Sequence, residues 1–116
     1  MAPHHEASLQ RDLGRIRDKV AEMGALTVEA LEACVVAIAQ RNRMAAYGVI
    51  FRDQYIDELE KEIDRLCLEF LVRQQPVAGL LRFAYATIKV NLEIERIGDY
   101  AESIARQALK LLGMDD

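Results

Sequence analysis

The chain has 116 residues and a formal net charge of -4; 52% of its residues are hydrophobic, and it has no Trp and only two Pro. A chain of this length makes one domain and can bury a core without disulfides or metals. Its basic residues are scattered among carboxylates and leave no basic stripe, which excludes a nucleic-acid binder. No stretch reaches the roughly 18 consecutive apolar residues of a membrane span.

Residues 1–7, with Pro3, His4 and His5, read as a flexible N-terminal lead-in. Met1 to Gln10 contains no apolar run of the kind a signal peptide needs, so the expected location is cytoplasmic. Ser8 is a candidate cap for a first helix over about 8–40. In that segment Leu13, Ile16, Val20, Met23, Thr27, Ala30, Cys34 and Ala37 fall in alternating steps of three and four. Leu31, Val35 and Ile38 widen the stripe late in the segment. The pattern crosses Gly14 and Gly24, which predicts one long helix that Gly24 could bend.

The period breaks at Arg41 to Met44, with Asn42 as a cap candidate. A second helix is expected over about 45–74, with the seam Ile56, Leu59, Ile63, Leu66 and Phe70 and a densely charged opposite side. Pro76 then disfavours helix at the residue before it and suits the first turn of the next one. A third helix is expected over about 77–112, closed by Gly113. Leu80, Ala84, Ile88, Leu92, Ile94, Ile97, Ala101, Ile104, Ala108 and Leu111 carry its period. Short connections make consecutive helices antiparallel neighbours. The fold class is therefore all-α, an elongated antiparallel three-helix bundle over 8–113. Cys34 and Cys67 form no CxxC pair and read as small buried hydrophobes in a reducing compartment.

Little in the chain supports catalysis. Both histidines lie at the extreme N-terminus, no Gly-rich phosphate loop precedes a helix, and no Glu is followed three residues on by the His of a di-iron bundle. What remains is carboxylate spacing. Asp53 and Asp57 are four apart, Glu60 follows three later, and Glu95 and Asp99 repeat the four-residue step. Two such ridges on neighbouring helices could face a common hard cation, because carboxylate oxygens suit iron, manganese, magnesium and calcium. They could equally be solvated faces offset by Arg52, Lys61 and Arg96. Gly98 inside the third helix costs about 1 kcal/mol relative to Ala and needs a reason, either a close-packed neighbour or a ligand.

The run LEIERIGDYAESIA, with Ile94-Glu95-Arg96-Ile97-Gly98-Asp99 at its centre, resembles the signature of the PhoU family. The Asp53, Asp57 and Glu60 spacing, the Arg73-Gln74-Gln75-Pro76-Val77-Ala78 turn and the Ile16-Arg17 to Met23-Gly24 stretch resemble the same family, so the likeness covers nearly the whole chain. The family usually has two tandem three-helix repeats; this chain has one and most resembles the N-terminal repeat.

The resemblance implies a non-enzymatic regulator of phosphate uptake that represses the phosphate-starvation response. Such a regulator couples the ATPase subunit of the phosphate ABC transporter to a sensor histidine kinase, and meets the membrane only through these partners. It also implies that Asp53, Asp57, Glu60, Glu95 and Asp99, together with Glu93, bind metal: iron, or another divalent ion such as manganese, zinc or magnesium. Ser103 stands where many members have Asn. Arg96 is expected to be an ion-pair partner, since a guanidinium cannot coordinate a cation. A single repeat could also pair with a second copy as a homodimer, through spare apolar positions such as Leu26, Phe83 and Tyr85. The competing readings are a metal-free helical interaction module and, with least support, a carboxylate-bridged metal enzyme.

Overall fold

The computed structural model describes residues 2–114 as three helices: α1 over Ala2–Ala39, α2 over Arg43–Gln74 and α3 over Ala78–Met114. No strand occurs among the described residues. The helices lie side by side in a rod of 68 × 18 × 17 Å. The expected all-α, elongated three-helix bundle is borne out.

Asn42 caps α2: it has extended backbone, and its Oδ1 accepts from the Ala45 N–H at 3.1 Å. The tight turn before it places Arg41 in the left-handed region, at φ 53°. At the other end of α2, Gln75 adopts φ 44° and donates its N–H to the Leu71 carbonyl, and Pro76 follows. These two turns produce the up-down-up order.

The helix ends depart from the sequence expectation in three places. α1 begins at Ala2, so most of the expected flexible lead-in is helical; Pro3 suits a first turn, where its missing N–H costs nothing. Met1 lies outside the described residues. Ser8 sits inside α1, and its hydroxyl accepts from the buried Gln74 Nε2 at 3.0 Å instead of capping the helix. Gln74 Nε2 also reaches Asp12, which Arg73 contacts at 3.1 Å, so this polar cluster ties the end of α2 to α1. Finally, α3 runs through Gly113 to Met114, and Gly113 does not stop it.

The core has two halves of different texture. Toward the α2–α3 turn it is filled by large side chains, among them Leu13, Ile16, Met23, Ile63 and Phe70. Toward the α1–α2 turn it is built of small ones, Cys34, Ala37, Ala46, Ala101 and Ala105, with Val49. Small side chains let helix axes approach closely, and there the Cys34 thiol donates to the Ala101 carbonyl at 3.2 Å. Both cysteines are buried and free, as expected, and burial pushes both thiols above their ordinary range.

α3 differs most from its predicted seam. Its buried positions include Ala84, Asn91, Ala101, Ala105, Ala108 and Leu112. Leu92, Ile97, Ile104 and Leu111, expected in the seam, are exposed instead. Alternating steps of three and four fit several neighbouring faces of a helix. The face that wins here is the one whose small residues let three helices close.

Candidate metal centre on the α2–α3 face

Asp53, Asp57, Glu60 and Asp64 follow one another at steps of four, three and four, so α2 presents them along one side. Glu95, Asp99, Glu102 and Arg106 do the same on α3. The two ridges meet: one oxygen each from Asp53, Asp57 and Asp99 lie within 4.8 Å of one another. Hard cations bind oxygens at about 2.0–2.6 Å, so ligands across one ion stand about 4–5 Å apart. The three carboxylates therefore suit a single ion.

Gly98 makes this approach possible. A Cβ there would lie 3.2 Å from Ile56 Cγ2 and 3.3 Å from Ile56 Cδ1, tighter than ordinary contact, with Asp53 Oδ1 at 3.8 Å. The missing side chain lets α3 settle against α2 beside Asp53. This accounts for a helix-interior glycine that local propensity disfavours.

The electrostatics are those of crowded like charges. Asp53 is buried, and its Oδ1 has no hydrogen-bond partner. Burial, followed by the charges of Asp57, Glu102 and Asp99, raises its pKa to about 6, against the opposing pull of Arg106. Burial and Asp99 also raise Asp57, while a hydrogen bond with Glu95 works the other way. Glu60 is pushed up to about 7 by burial and by its hydrogen bond and charge contact with Asp64. Glu95 rises to about 7 through burial and its contacts with Asp99, with Asp57 and Glu60 adding to the effect. A buried acceptor without a donor, amid carboxylates that resist ionisation, is an environment that a cation would relieve.

Of the residues singled out from the sequence, Asp53, Asp57 and Asp99 come together, and Glu60 and Glu95 extend the same ridge. Glu93 does not join them. Two residues before Glu95 it points to another side of α3, where it is exposed and pairs with Arg96 at 3.0 Å. Arg96 is thus an ion-pair partner, as expected. Ser103 is exposed and borders a groove with Ile38 and Ile104, outside the carboxylate cluster.

Three neighbours of the ridge were not singled out from the sequence. Glu102 stands three residues after Asp99 and pairs with Arg106 at 3.0 Å, so the spacing rule that selected Glu60 would also have found it. Asp64 extends α2's ridge by the same rule. Asn91 is fully buried; its Nδ2 donates to the Glu60 carbonyl at 2.9 Å and to Asp64 at 3.1 Å, pinning α3 to α2 below the acids. Its signal was a lone amide at a position where the seam calls for an apolar side chain.

Residues 20–108 match the family model described as the PhoU domain. The chain belongs to the PhoU family. It is 33% identical over 115 residues to a phosphate-specific transport system accessory protein PhoU homolog of Caulobacter vibrioides, covering 99% of this chain and 50% of that protein. The PhoU protein of Serratia marcescens is 35% identical over 107 residues, 92% of this chain and 44% of its own length. A PhoU homolog of Aquifex aeolicus is 36% identical over 103 residues, 89% and 47% respectively. The chain therefore spans about half the length of the curated PhoU relatives it matches. No helix among the described residues is long and apolar enough to cross a membrane.

Proposed function

We propose that this chain is a non-enzymatic accessory unit of phosphate-specific transport whose α2–α3 ridge holds a divalent cation. The transport role rests on family membership and on the names of relatives matched over nearly the whole chain. The metal role rests on one arrangement: carboxylate oxygens of Asp53, Asp57 and Asp99 within 4.8 Å of one another, with the buried Oδ1 of Asp53 left without a hydrogen-bond partner. The donors are all oxygen, which favours hard ions such as iron, manganese or magnesium over ions that prefer sulfur or imidazole.

Asp53, Asp57 and Asp99 hold the ion, and Glu60 and Glu95 stand close enough along the ridge to balance its charge or to anchor a second one. A bound cation supplies positive charge and removes the mutual repulsion of the acids. It also fixes α2 against α3 and gives the rod one rigid, charge-balanced face. On that face the unit docks the ATPase subunit of the phosphate transporter and relays its state to a sensor histidine kinase.

Elemental analysis of protein purified without a tag, paired with affinity measurement for the transporter ATPase, tests both parts. Wild-type protein should carry metal and bind the ATPase, and Asp99→Ala should lower both with helicity unchanged. Unaltered metal content and unaltered affinity in Asp99→Ala would remove the ridge from the function.

A further inference from the structure

The bundle sorts by position charges that the sequence intermixes. Lys19 of α1 lies 3.7 Å from Glu62 of α2, so the two residues stand at one level along the rod. α2 and α3 run back antiparallel from the turn around Pro76, and α3 passes that level near Lys89. On the side that holds this turn, residues 5–19 and 65–89 carry eight Lys or Arg and four Asp or Glu, a net +4. On the other side, residues 20–64 and 90–114 carry seven and thirteen, a net -6.

The α2–α3 face changes character at the same level. On α2 the acidic ridge gives way after Asp64 to Leu68 and Val72 at steps of four. On α3 it gives way before Glu95 to Leu92, Ile88, Tyr85 and Leu81 at steps of three and four. Val72 and Leu81 stand equally far from the turn, as do Leu68 and Tyr85, so the four sit side by side in two tiers with Val77 at the turn itself. These five side chains are 50–77% exposed. Tyr85 is the one spare apolar position expected from sequence that is exposed; Leu26 and Phe83 are partly buried against the core. Exposed Arg65, Arg82 and Lys89 rim the two tiers, with the Lys89 ammonium 5.4 Å from the centre of the Tyr85 ring. Apolar side chains gathered this way form a contiguous patch, unlike the scattered ones normal on a surface.

We propose that this end of the α2–α3 face docks on an anionic bilayer surface, its aliphatic side chains entering the interface and its cations meeting acidic lipid headgroups. Charge complementarity selects the occupant. An anionic surface attracts the +4 end and repels the rest, so the rod meets it at a tilt, with the acidic ridge lifted clear and α1 on the far side. Shape agrees: side chains this exposed stand proud of the surface, as those that enter a bilayer interface do, whereas a partner helix is gripped by a groove. Tyr suits the headgroup level, with an apolar ring and a polar tip, and Lys and Arg reach headgroups while their stems lie on apolar surface. Five side chains and three cations make a reversible, salt-sensitive attachment, short of a permanent anchor. The family resemblance leads to an expectation of membrane contact through partners alone; this contact is direct, and it needs neither the metal nor the transporter reading.

Flotation of the 116-residue chain with lipid vesicles, in chelator so that no divalent ion bridges the acids to lipid, tests it. The chain should float with vesicles of about one-third phosphatidylglycerol in phosphatidylcholine and stay behind with phosphatidylcholine alone. Raising salt from about 0.1 M to 1 M, which shortens the screening length from about 10 Å to 3 Å, should release it. Arg82→Gln/Lys89→Gln should weaken binding about 30-fold, at about 5-fold per cation. Val72→Ser/Leu81→Ser should weaken it at least about 10-fold. All four positions are exposed, so both double variants should keep the helicity of the wild type by circular dichroism. Phe51→Ser, at an exposed apolar site on the acidic part of α2, should bind as wild type does. Wild type that stays off the anionic vesicles overturns the proposal and leaves the patch to a protein partner. Equal binding to both vesicle types overturns it too, as does binding that either double variant retains or that Phe51→Ser weakens as much.

Discussion

Replacing Asp53 with Asn should stabilise the metal-free protein, although it alters a buried residue at the centre of the ridge. In the folded chain burial and then the neighbouring acids raise Asp53 from 3.8 to about 6. The folded state thus holds the Asp53 proton more tightly than the unfolded state does. The stability linked to that proton is fully present below about pH 4 and is lost as pH rises through about 6. Two units correspond to about 3 kcal/mol at 1.36 kcal/mol per unit. Solvent screening along the flank of the ridge brings the expected effect down to about 1–2 kcal/mol.

Asn has the same shape and no charge, and its amide can donate to the facing Asp57 or Asp99. At about pH 8 in chelator, Asp53→Asn should melt roughly 4–8 °C above wild type. Near pH 4 the difference should vanish. Manganese should reverse the order, because saturation at about a hundred times Kd adds about 2.7 kcal/mol to the wild type alone. Thermal unfolding followed by circular dichroism at both pH values, with and without metal, reads all four conditions. An Asp53→Asn variant less stable than wild type at pH 8 in chelator, or equally stabilised at both pH values, would refute this electrostatic reasoning.

Glycine substitutions should separate packing from propensity. Gly48→Ala meets nothing within 4 Å and should gain about 0.5–1 kcal/mol in denaturant unfolding, whereas Gly98→Ala, crowding Ile56, should lose that gain or be net destabilising by about 1 kcal/mol. Asn91→Ala removes two hydrogen bonds between α2 and α3 and opens a cavity, and should cost about 2–3 kcal/mol in the same assay. Asn42→Ala should cost about 1 kcal/mol through loss of the α2 cap, with the metal content of the ridge unchanged.

The fold was legible because its signals are local. Pro76 and Asn42 mark the two turns by their own backbone chemistry, and the long alternation of threes and fours identifies the helices without reference to any partner. The ends of α1 and α3 were less legible: a Ser with helix-forming neighbours on both sides does not have to cap, and Gly113 adopts helical geometry when the chain around it does. The acidic ridge was legible along each helix by the i, i+4 rule, but its meeting point was not. Which oxygens come within reach of one another depends on the closeness of α2 and α3, and that depends on Gly98 lying opposite Ile56. Glu93 shows the limit of proximity in sequence: it stands beside Glu95 in the signature yet faces another side of the helix. The exposed apolar face of α3 was hidden for a related reason. Ile97, Ile104 and Leu111 satisfy the helical period as well as buried residues do, and only the packed bundle shows that Ala101, Ala105 and Ala108 take the interior.

Metal titration is the most direct test of the ridge. Chelator-treated wild-type protein, Asp57→Asn/Asp99→Asn and Glu93→Gln are dialysed against manganese, and bound metal is counted by elemental analysis. The account predicts at least about one equivalent on wild type and on Glu93→Gln, and none on the double variant. Metal-free wild type, or a double variant that retains its metal while Glu93→Gln loses it, would contradict the site drawn here.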